Sequence, residues 1–376
     1  MKPGMGVYIH IPFCIKKCLY CDFPSFAGRQ GRYEAYKNAL IKELEASEEL
    51  AEAAVETVYI GGGTPTALPA GFLGEILEAA SKRGLEAGAE VSVEANPGTL
   101  TKEKLEVLRS CGANRLSIGM QAKQDRLLKA LGRIHGWDDF LASWELALKA
   151  GFENMNVDIM FCLPGQTMDD WRETLCEIAR LLPRHVSAYS LSVEEGTAFF
   201  ELQRTGKLKL PSEEEDRAMF AEASLELGKI GLRQYEISNF AVPGSESRHN
   251  CRYWKREGTL GFGLGAHSFW NGDRWRNSYD LNEYVRSAGQ GRKEGLARPG
   301  LRESMEEAMF LGLRLNEGVS AEKFKAEFGL ALEGVFGSAI HKMAALGLME
   351  NSGSRVFLTD KGRDLSNAVF LEFLLD

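Results

Sequence analysis

The stretch that decides the fold is His10-Ile-Pro-Phe-Cys14-Ile-Lys-Lys-Cys18-Leu-Tyr-Cys21-Asp-Phe23, near the start of a 376-residue chain. Its three cysteines have the spacing C-x3-C-x2-C. Thiolates in so short a loop can each bind one iron of a 4Fe-4S cube, whereas an electron-transfer cluster takes four cysteines. One iron is then left without a protein ligand, and an open metal position is a place for chemistry. The stretch therefore predicts a cluster with one reactive iron.

Two other interpretations of Cys14, Cys18 and Cys21 stay open. Cysteine trios also occur in zinc sites and as small buried residues. A zinc site needs a further ligand at short spacing, and the next Cys or His after Cys21 is Cys111. The cluster is therefore favoured over zinc and over a purely structural role.

The composition sets broad limits on the class of protein. Hydrophobic residues make up 44% of the chain, so a sizeable core is expected. The 53 acidic and 45 basic residues give a net charge of −8, which does not favour sequence-independent binding to nucleic acid. Seven cysteines, of which three crowd one loop, and no secretory leader predict a reducing cytoplasm. No apolar run is long enough to cross a bilayer, so any membrane contact is expected to be peripheral.

Strand and helix patterns alternate six times between residues 7 and 193. Such alternation predicts a parallel sheet with right-handed crossovers. Barrels carry their working residues at the carboxyl ends of several strands, which is where the cysteines, the glycine triplet, Glu94, Gln121 and Asp158 fall. The fold class expected for residues 1–210 is therefore α/β, an incomplete (β/α)6 barrel that is open on one side.

The remainder of the chain predicts two further parts. Residues 211–295 are expected to form an extension that completes the barrel, with a loop rich in Arg, His and Trp. Residues 296–376 read as helix, helix, helix and hairpin, the outline of a winged-helix-like domain. Acidic residues such as Glu306 and Glu322 do not suit DNA reading by this domain. The sequence leaves open whether the chain is a monomer or a homodimer.

Polar residues near the predicted strand ends could hold a cofactor. The glycines Gly61, Gly62 and Gly63 let the backbone approach a ligand closely, although a simple tight turn is the alternative. Glu94 and Asp158 lie in apolar strands, where a carboxylate needs donors. These donors could be an internal Arg or Lys, or the hydroxyl or ammonium groups of a ligand.

Two more side chains have suitable chemistry. The Gln121 amide can both donate and accept hydrogen bonds. Arg133 can bind a ligand carboxylate through two parallel hydrogen bonds, with a surface salt bridge as the alternative.

Together these motifs resemble the radical S-adenosylmethionine (SAM) superfamily. Within it, the chain is similar over nearly its whole length to the oxygen-independent coproporphyrinogen III oxidases and to the HemW-type heme chaperones. The matching segments are Tyr8-Ile-His-Ile-Pro-Phe-Cys14, Gly61-Gly-Gly-Thr-Pro-Thr66, Arg115-Leu-Ser-Ile-Gly-Met-Gln121, Asn156-Val-Asp158, Leu163-Pro-Gly-Gln-Thr167 and Leu358-Thr-Asp-Lys-Gly362.

The resemblance implies roles for individual residues. SAM would chelate the open iron, and its cleavage would yield a 5'-deoxyadenosyl radical. Tyr8 would lie beside the cluster and SAM, and Gly63 and Thr64 would contact the methionyl part. The amino, ribose or carboxylate groups of SAM would be held by Glu94, Gln121, Arg133 and Asp158.

Three features favour the heme chaperones over the oxidases. The oxidases have a fourth cysteine where this chain has Phe23, and they have a longer arm before the tyrosine that corresponds to Tyr8. The segment His249-Asn-Cys-Arg-Tyr253-Trp254 matches the H-N-x-x-Y-W pattern of the chaperones. By this resemblance His249 would offer an imidazole to heme iron, and the two aromatic residues would offer faces to the porphyrin. A solvent-facing loop residue is the alternative for His249.

The sequence therefore predicts a protein that binds a 4Fe-4S cluster, SAM and heme, and that hands heme to respiratory apo-hemoproteins. The alternative is an enzyme that takes a porphyrinogen as substrate and decarboxylates coproporphyrinogen III to protoporphyrinogen IX.

Overall fold

A computed structural model of the chain describes residues 2–82, 84–290 and 293–375. Residues 1, 83, 291, 292 and 376, which the predicted domains include, lie outside the described residues. The division of the chain at residues 210 and 295 remains a prediction.

The strands form one large sheet and two small ones. In the described residues they are β1 (Gly4–Ile11), β2 (Phe13–Cys14), β3 (Phe26–Ala27), β4 (Ala54–Gly62), β5 (Leu85–Ala95), β6 (Arg115–Gln121), β7 (Asn154–Phe161), β8 (His185–Ser190), β9 (Arg233–Gln234), β10 (Asn239–Ala241), β11 (Thr259–Phe262), β12 (His267–Trp270), β13 (Asp273–Arg276), β14 (Glu294–Ala297), β15 (Val319–Ser320), β16 (Met349–Asn351) and β17 (Arg355–Leu358).

The helices lie between these strands and after them. In the described residues they are α1 (Tyr33–Ala46), α2 (Glu48–Glu52), α3 (Ala70–Ser81), α4 (Lys102–Ser110), α5 (Asp125–Ala130), α6 (Trp137–Lys149), α7 (Met168–Leu181), α8 (Ala198–Arg204), α9 (Glu213–Lys229), α10 (Arg248–Trp254), α11 (Leu281–Ser287), α12 (Leu301–Gly312), α13 (Ala321–Phe328), α14 (Leu332–Ala345), α15 (Asp360–Asp364) and α16 (Ser366–Leu371).

The centre of the large sheet is a run of parallel strands in the order β1-β4-β5-β6-β7-β8, with helices in the connections. On one side β10 and β9 add antiparallel strands beside β8. On the other side β11 pairs parallel with β1, and β12, β13 and β14 follow antiparallel. The end strands β14 and β9 are not paired with each other within the described chain. The predicted incomplete (β/α)6 barrel is confirmed.

The pattern of β6 shows why the barrel has a polar interior. All seven of its residues are buried, and the apolar Leu116, Ile118 and Met120 belong to the main hydrophobic core. Successive side chains of a strand point to opposite faces, so Arg115 and Ser117 face the other way, into the barrel. Parallel strands covered on both faces are usually apolar throughout. The polar inner face of β6 therefore marks a site.

The carboxyl-terminal part has its own hydrophobic core, which includes Met309, Phe336 and Phe373. Helices α12, α13 and α14 precede the hairpin β16–β17, and β15 adds a third strand beside β17. This is the predicted order of helices and hairpin. No helix in the described parts of the chain is long and apolar enough to span a membrane.

Candidate cofactor-binding site

A cavity of about 480 Å³ lies inside the barrel and reaches the cysteine loop. Cys14, Cys18 and Cys21 all line it. Other predicted residues in its wall are 62–64, Glu94, Gln121, Arg133 and Asp158. The predicted residues outside its wall are Tyr8, Gly61, His249, Tyr253 and Trp254.

The cysteine loop suits a cube bound at three corners. Among the described residues, no three His, Cys, Asp or Glu side chains form a site for a single metal ion. In a cube each thiolate binds a different iron, so three thiols that line one cavity fit it. Burial raises the pKa of the Cys14 and Cys21 thiols. Arg133 Nη1 donates to Cys18 Sγ at 3.5 Å.

The glycine triplet holds the cysteine loop against β4. The amide of Gly63 donates to the Ile11 carbonyl at 2.8 Å, and the amide of Thr64 donates to the Phe13 carbonyl at 2.7 Å. A Cβ atom on Gly63 would lie 2.7 Å from the Phe13 carbonyl oxygen. Gly62 has a φ of +107°, which favours glycine, and it faces the cavity. The triplet therefore lets the two backbones meet beside the cavity.

The Glu94 carboxylate accepts hydrogen bonds from two neutral donors. The Tyr59 hydroxyl donates to Oε1 at 2.7 Å, and the Gly62 amide donates to Oε2 at 3.0 Å. Burial raises the pKa of Glu94 to about 7, although these donors oppose the shift. Among the described residues Glu94 has no ion pair within 4 Å, although the positive charge of Arg115 also opposes the rise in its pKa.

Asp158 has a similar environment on β7. Its carboxylate accepts from Ser117 Oγ at 3.0 Å and from Asn156 Nδ2 at 2.8 Å. Burial raises the pKa of Asp158, and these hydrogen bonds oppose the rise. Both carboxylates can accept further hydrogen bonds from hydroxyl or ammonium groups in the cavity.

Arg133 belongs to the site and makes no surface salt bridge within the described chain. Its Nη2 donates to the Gly119 carbonyl at 2.6 Å and to Asn96 Oδ1 at 3.0 Å. Nearby, Gln121 has a φ of +69°, a backbone conformation that residues other than glycine rarely adopt. Such local strain is concentrated at functional sites.

Tyr8 contacts the cysteine loop indirectly. Its hydroxyl lies 2.9 Å from Nδ1 of His10, whose Nε2 lies 2.9 Å from the carbonyl oxygen of Pro24. Tyr8 therefore supports the segment that follows the cysteines.

The histidine motif forms helix α10 at the opposite end of the barrel. Glu90 lies on β5 and is paired with Thr57 on β4. Its carboxylate accepts hydrogen bonds from the backbone amides of Arg248 and His249, at 3.1 Å each. Nδ1 of His249 lies 2.9 Å from Oγ1 of Thr57 on β4. Thr57 precedes Gly63 by six residues, so His249 and the cysteine loop are about 20 Å apart along the strand direction.

The alternative of a solvent-facing loop residue for His249 is wrong, because His249 lies on a helix and is only 1% exposed. Its ring stacks on Tyr59, with centroids 5.3 Å apart. Nε2 lies 3.0 Å from the hydroxyl of Tyr253, a residue that is 36% exposed. Burial lowers the pKa of His249 to about 3, so the imidazole is neutral at physiological pH.

Trp254 lies apart from both the cysteines and His249. It lines a second cavity of about 300 Å³ that α10 shares with residues of α12 and α13. The guanidinium of Arg314 lies 4.3 Å from the centre of its ring. Nε1 of Trp254 has no hydrogen-bond partner among the described residues.

Sequence reasoning missed several residues of the barrel cavity, among them Tyr59, Asn96, Arg115 and Asn250. Arg115 opens the segment that ends at Gln121, and Asn250 follows His249, so both were inside segments that had been singled out. Tyr59 precedes the glycine triplet, and Asn96 follows the strand that carries Glu94. The pairing of β4 with β5 and of β5 with β6 brings Tyr59, Asn96 and Arg115 to one cavity, and α10 contributes Asn250.

An open barrel of six parallel strands, with a cysteine trio after the first strand and a polar cavity beside it, defines a radical SAM fold. Residues 8–178 match the Radical SAM superfamily, and residues 301–365 match the HemN C-terminal domain. A similar fold is that of coproporphyrinogen III oxidase HemN from Escherichia coli, with a TM-score of 0.86 and 24% identity over 99% of this chain and 90% of that chain.

Two relatives are similar over their full length. The protein named heme chaperone HemW of Bacillus subtilis is 39% identical, over 98% of this chain and 99% of the relative. That of Lactococcus lactis is 40% identical, over 100% of this chain and 98% of the relative. The chain therefore belongs to the HemW family of the radical SAM superfamily. Membership of the superfamily implies a 4Fe-4S cluster and SAM, and the residues of the barrel cavity fit both.

Proposed function

We propose that the chain is a heme chaperone, which binds heme, a 4Fe-4S cluster and SAM and passes heme to respiratory apo-hemoproteins. The observation that carries this proposal is the full-length similarity to relatives named heme chaperones. The likeness to the oxidase, at 24% identity, concerns the fold alone. The decarboxylation of coproporphyrinogen III is therefore not favoured.

The residues of the barrel cavity would hold the cluster and SAM. Cys14, Cys18 and Cys21 would supply the thiolates. When bound, the cluster and SAM supply one-electron chemistry that no amino-acid side chain provides. Glu94 and Asp158 would accept hydrogen bonds from SAM, since each carboxylate already has its other donors in place.

The environment of His249 suits a heme ligand in two respects. A neutral imidazole is the form that binds metal, and the lowered pKa keeps His249 neutral. Thr57 fixes the ring through Nδ1, as second partners of metal-binding histidines do. Nε2 is covered only by the hydroxyl of the partly exposed Tyr253. A rotation of Tyr253 would open Nε2 to a heme that approaches from outside the barrel.

The proposal places the protein in the cytoplasm. All seven cysteines are described, and none is in a disulfide bond. Free thiols and an iron-sulfur cluster are both typical of proteins in a reducing compartment.

A titration with hemin tests the proposal. Wild-type protein should give a Soret shift that saturates, and His249→Ala should weaken binding and change the spectrum. His341→Ala is the matched control, because His341 is exposed on α14 and should leave the spectrum unchanged. A wild-type spectrum that His249→Ala reproduces would exclude His249 as the ligand.

The alternative function needs a separate assay. Anaerobic protein with a reconstituted cluster, SAM and reductant should leave coproporphyrinogen III unchanged. Formation of protoporphyrinogen IX would contradict the proposed function.

A further inference from the structure

Histidine and tyrosine side chains lie within hydrogen-bond distance of each other in four pairs of the described chain. In three of them the histidine is buried, namely Tyr8–His10, His185–Tyr235 and His249–Tyr253. In the fourth, Nε2 of His267 lies 3.0 Å from the hydroxyl oxygen of Tyr279. Both side chains of this pair are exposed, Tyr279 by 49%. Within the described residues, this pair therefore presents both an imidazole and a phenol to solvent.

Strand β12 carries His267 on the inner side of the sheet. The next residue, Ser268, lines a cavity of about 440 Å³ beside α11, and Trp270 belongs to the main hydrophobic core. Successive side chains of a strand point to opposite faces, so His267 points to the barrel side. Arg276 is paired with His267 on β13 and points the same way, because its neighbour Trp275 lines the outer cavity. Of the described strands, only β14 lies beyond β13, so the pair is close to the open side of the barrel.

The surroundings of Tyr279 combine a cation with the cysteine loop. The guanidinium of Arg276 lies 4.6 Å from the centre of the Tyr279 ring and is held by Glu294 at 3.0 Å. The other neighbour is the backbone of Gly265, where a Cβ atom would lie 2.5 Å from Cε1 of Tyr279. The same Cβ would lie 3.6 Å from Cγ of Pro24. Tyr279 therefore lies beside the segment that follows the three cysteines.

We propose that Tyr279 is a ligand of ferric heme at the open side of the barrel, separate from His249. A tyrosine oxygen holds the heme iron in catalases. The bond from iron to oxygen forms as the phenol O–H bond breaks, the proton passes to Nε2 of His267, and the iron stays ferric. Arg276 stabilises the negative charge on the bound oxygen. This inference rests on the proposed function, because heme is the cargo of a heme chaperone.

The exposed site differs from the His249 site in how a ligand reaches it. His249 is buried, and Tyr253 must rotate before its Nε2 can bind iron. Tyr279 can take heme from solution without such a change. Phe23, which precedes Pro24 and is 57% exposed, can offer an aromatic face to the porphyrin.

The test uses anaerobic, cluster-loaded His249→Ala protein, so that heme bound at His249 does not contribute. Hemin should still bind, and resonance Raman spectra should show an iron–phenolate vibration. Adding Tyr279→Phe should remove this vibration and weaken hemin binding about 100-fold, because the ligand itself is lost. Adding His267→Ala should weaken it about tenfold, as the loss of a metal ligand's hydrogen-bond partner does.

Iron-free protoporphyrin IX separates a ligand from a residue that only shapes the surface. Its affinity should be the same with and without Tyr279→Phe, because it has no metal for the phenol to bind. His341→Ala is the matched control for His267→Ala, because His341 is exposed on α14. Added to His249→Ala, it should change neither the affinity for hemin nor the Raman spectrum.

Two results would overturn the proposal. One is a hemin affinity that Tyr279→Phe leaves unchanged in His249→Ala protein. The other is an equal loss of affinity for hemin and for iron-free protoporphyrin IX.

The proposed function fails or stands separately. If Tyr279 binds hemin but wild-type protein passes no heme to an apo-hemoprotein, the chaperone function fails and the site stands. If heme binds and is passed on through His249 alone, the Tyr279 site fails and the chaperone function stands.

Discussion

The ring of Tyr59 stacks on the imidazole of His249, with centroids 5.3 Å apart. The hydroxyl of the same Tyr59 donates to Glu94 at 2.7 Å. One side chain thus contacts both the proposed heme ligand and the proposed SAM ligand. The two ends of the barrel are connected through Tyr59, although His249 and the cysteine loop lie far apart.

Tyr59→Phe should separate the two contacts. It keeps the stacked ring and removes the hydrogen bond that lowers the pKa of Glu94. The carboxyl group should then be protonated more at neutral pH, and SAM should bind about tenfold more weakly. Calorimetry with cluster-loaded protein measures the affinity. Tyr253→Phe is the control, because Tyr253 does not contact Glu94 within the described chain, and equal losses in both variants would contradict this role of Tyr59.

The affinity for SAM should depend on pH. Glu94 has a pKa of about 7 without ligand, so it is mainly ionised at pH 8 and mainly protonated at pH 6. SAM is cationic at its sulfonium and favours the ionised form. Affinity should therefore fall about tenfold from pH 8 to pH 6, because the ionised fraction falls by that factor. Glu94→Gln should bind weakly at both values, and a wild-type affinity that is flat with pH would rule out a titrating Glu94.

Cys18→Ala should abolish the cluster. Without Cys18 the cube would keep only two of its three protein thiolates. Arg133 would also lose its sulfur acceptor. Iron and sulfide content and visible absorbance of reconstituted protein measure the outcome. Cys176→Ala is the matched control, because Cys176 is exposed on α7. Full iron content in Cys18→Ala would remove Cys18 from the ligand set.

Gly63→Ala should disturb the cysteine loop without changing any ligand. Its Cβ would lie 2.7 Å from the Phe13 carbonyl oxygen, so one backbone must move. We expect a loss of about 1–3 kcal/mol in the free energy of unfolding, as for other overpacked sites, and a lower cluster content. Gly71→Ala is the control, since nothing lies within 4 Å of the added atom at this position on α3. Normal cluster content in Gly63→Ala would show that the close approach is dispensable.

Much of the fold follows from local patterns in the sequence. The six strand and helix pairs are visible as alternating apolar segments, and the glycine triplet marks the end of β4. The strands after residue 211 are harder to predict from the sequence, because β11 and β12 are short. They form strands only through the pairing of β11 with β1 and with β12. The sequence predicts a loop where α10 lies, since the seven residues of this helix form no apolar stripe.

The site was predictable only where one residue type implies a chemistry. Cysteine spacing identified Cys14, Cys18 and Cys21 as residues that share a cavity. Arg115 has the pattern of a strand residue in the sequence, and only the structure shows that it is buried and lines the cavity. The distance between His249 and the cysteine loop depends on which ends of the strands α10 contacts, and no local pattern reports this.

Heme transfer tests the central claim most directly. Protein loaded with heme under anaerobic conditions, with its cluster and SAM, is mixed with an apo b-type cytochrome, and the cytochrome spectrum is followed. The account predicts that the cytochrome gains heme from the wild-type protein. It should gain much less from His249→Ala protein that has been treated with heme in the same way. A cytochrome that stays heme-free in the presence of loaded wild-type protein would contradict the account.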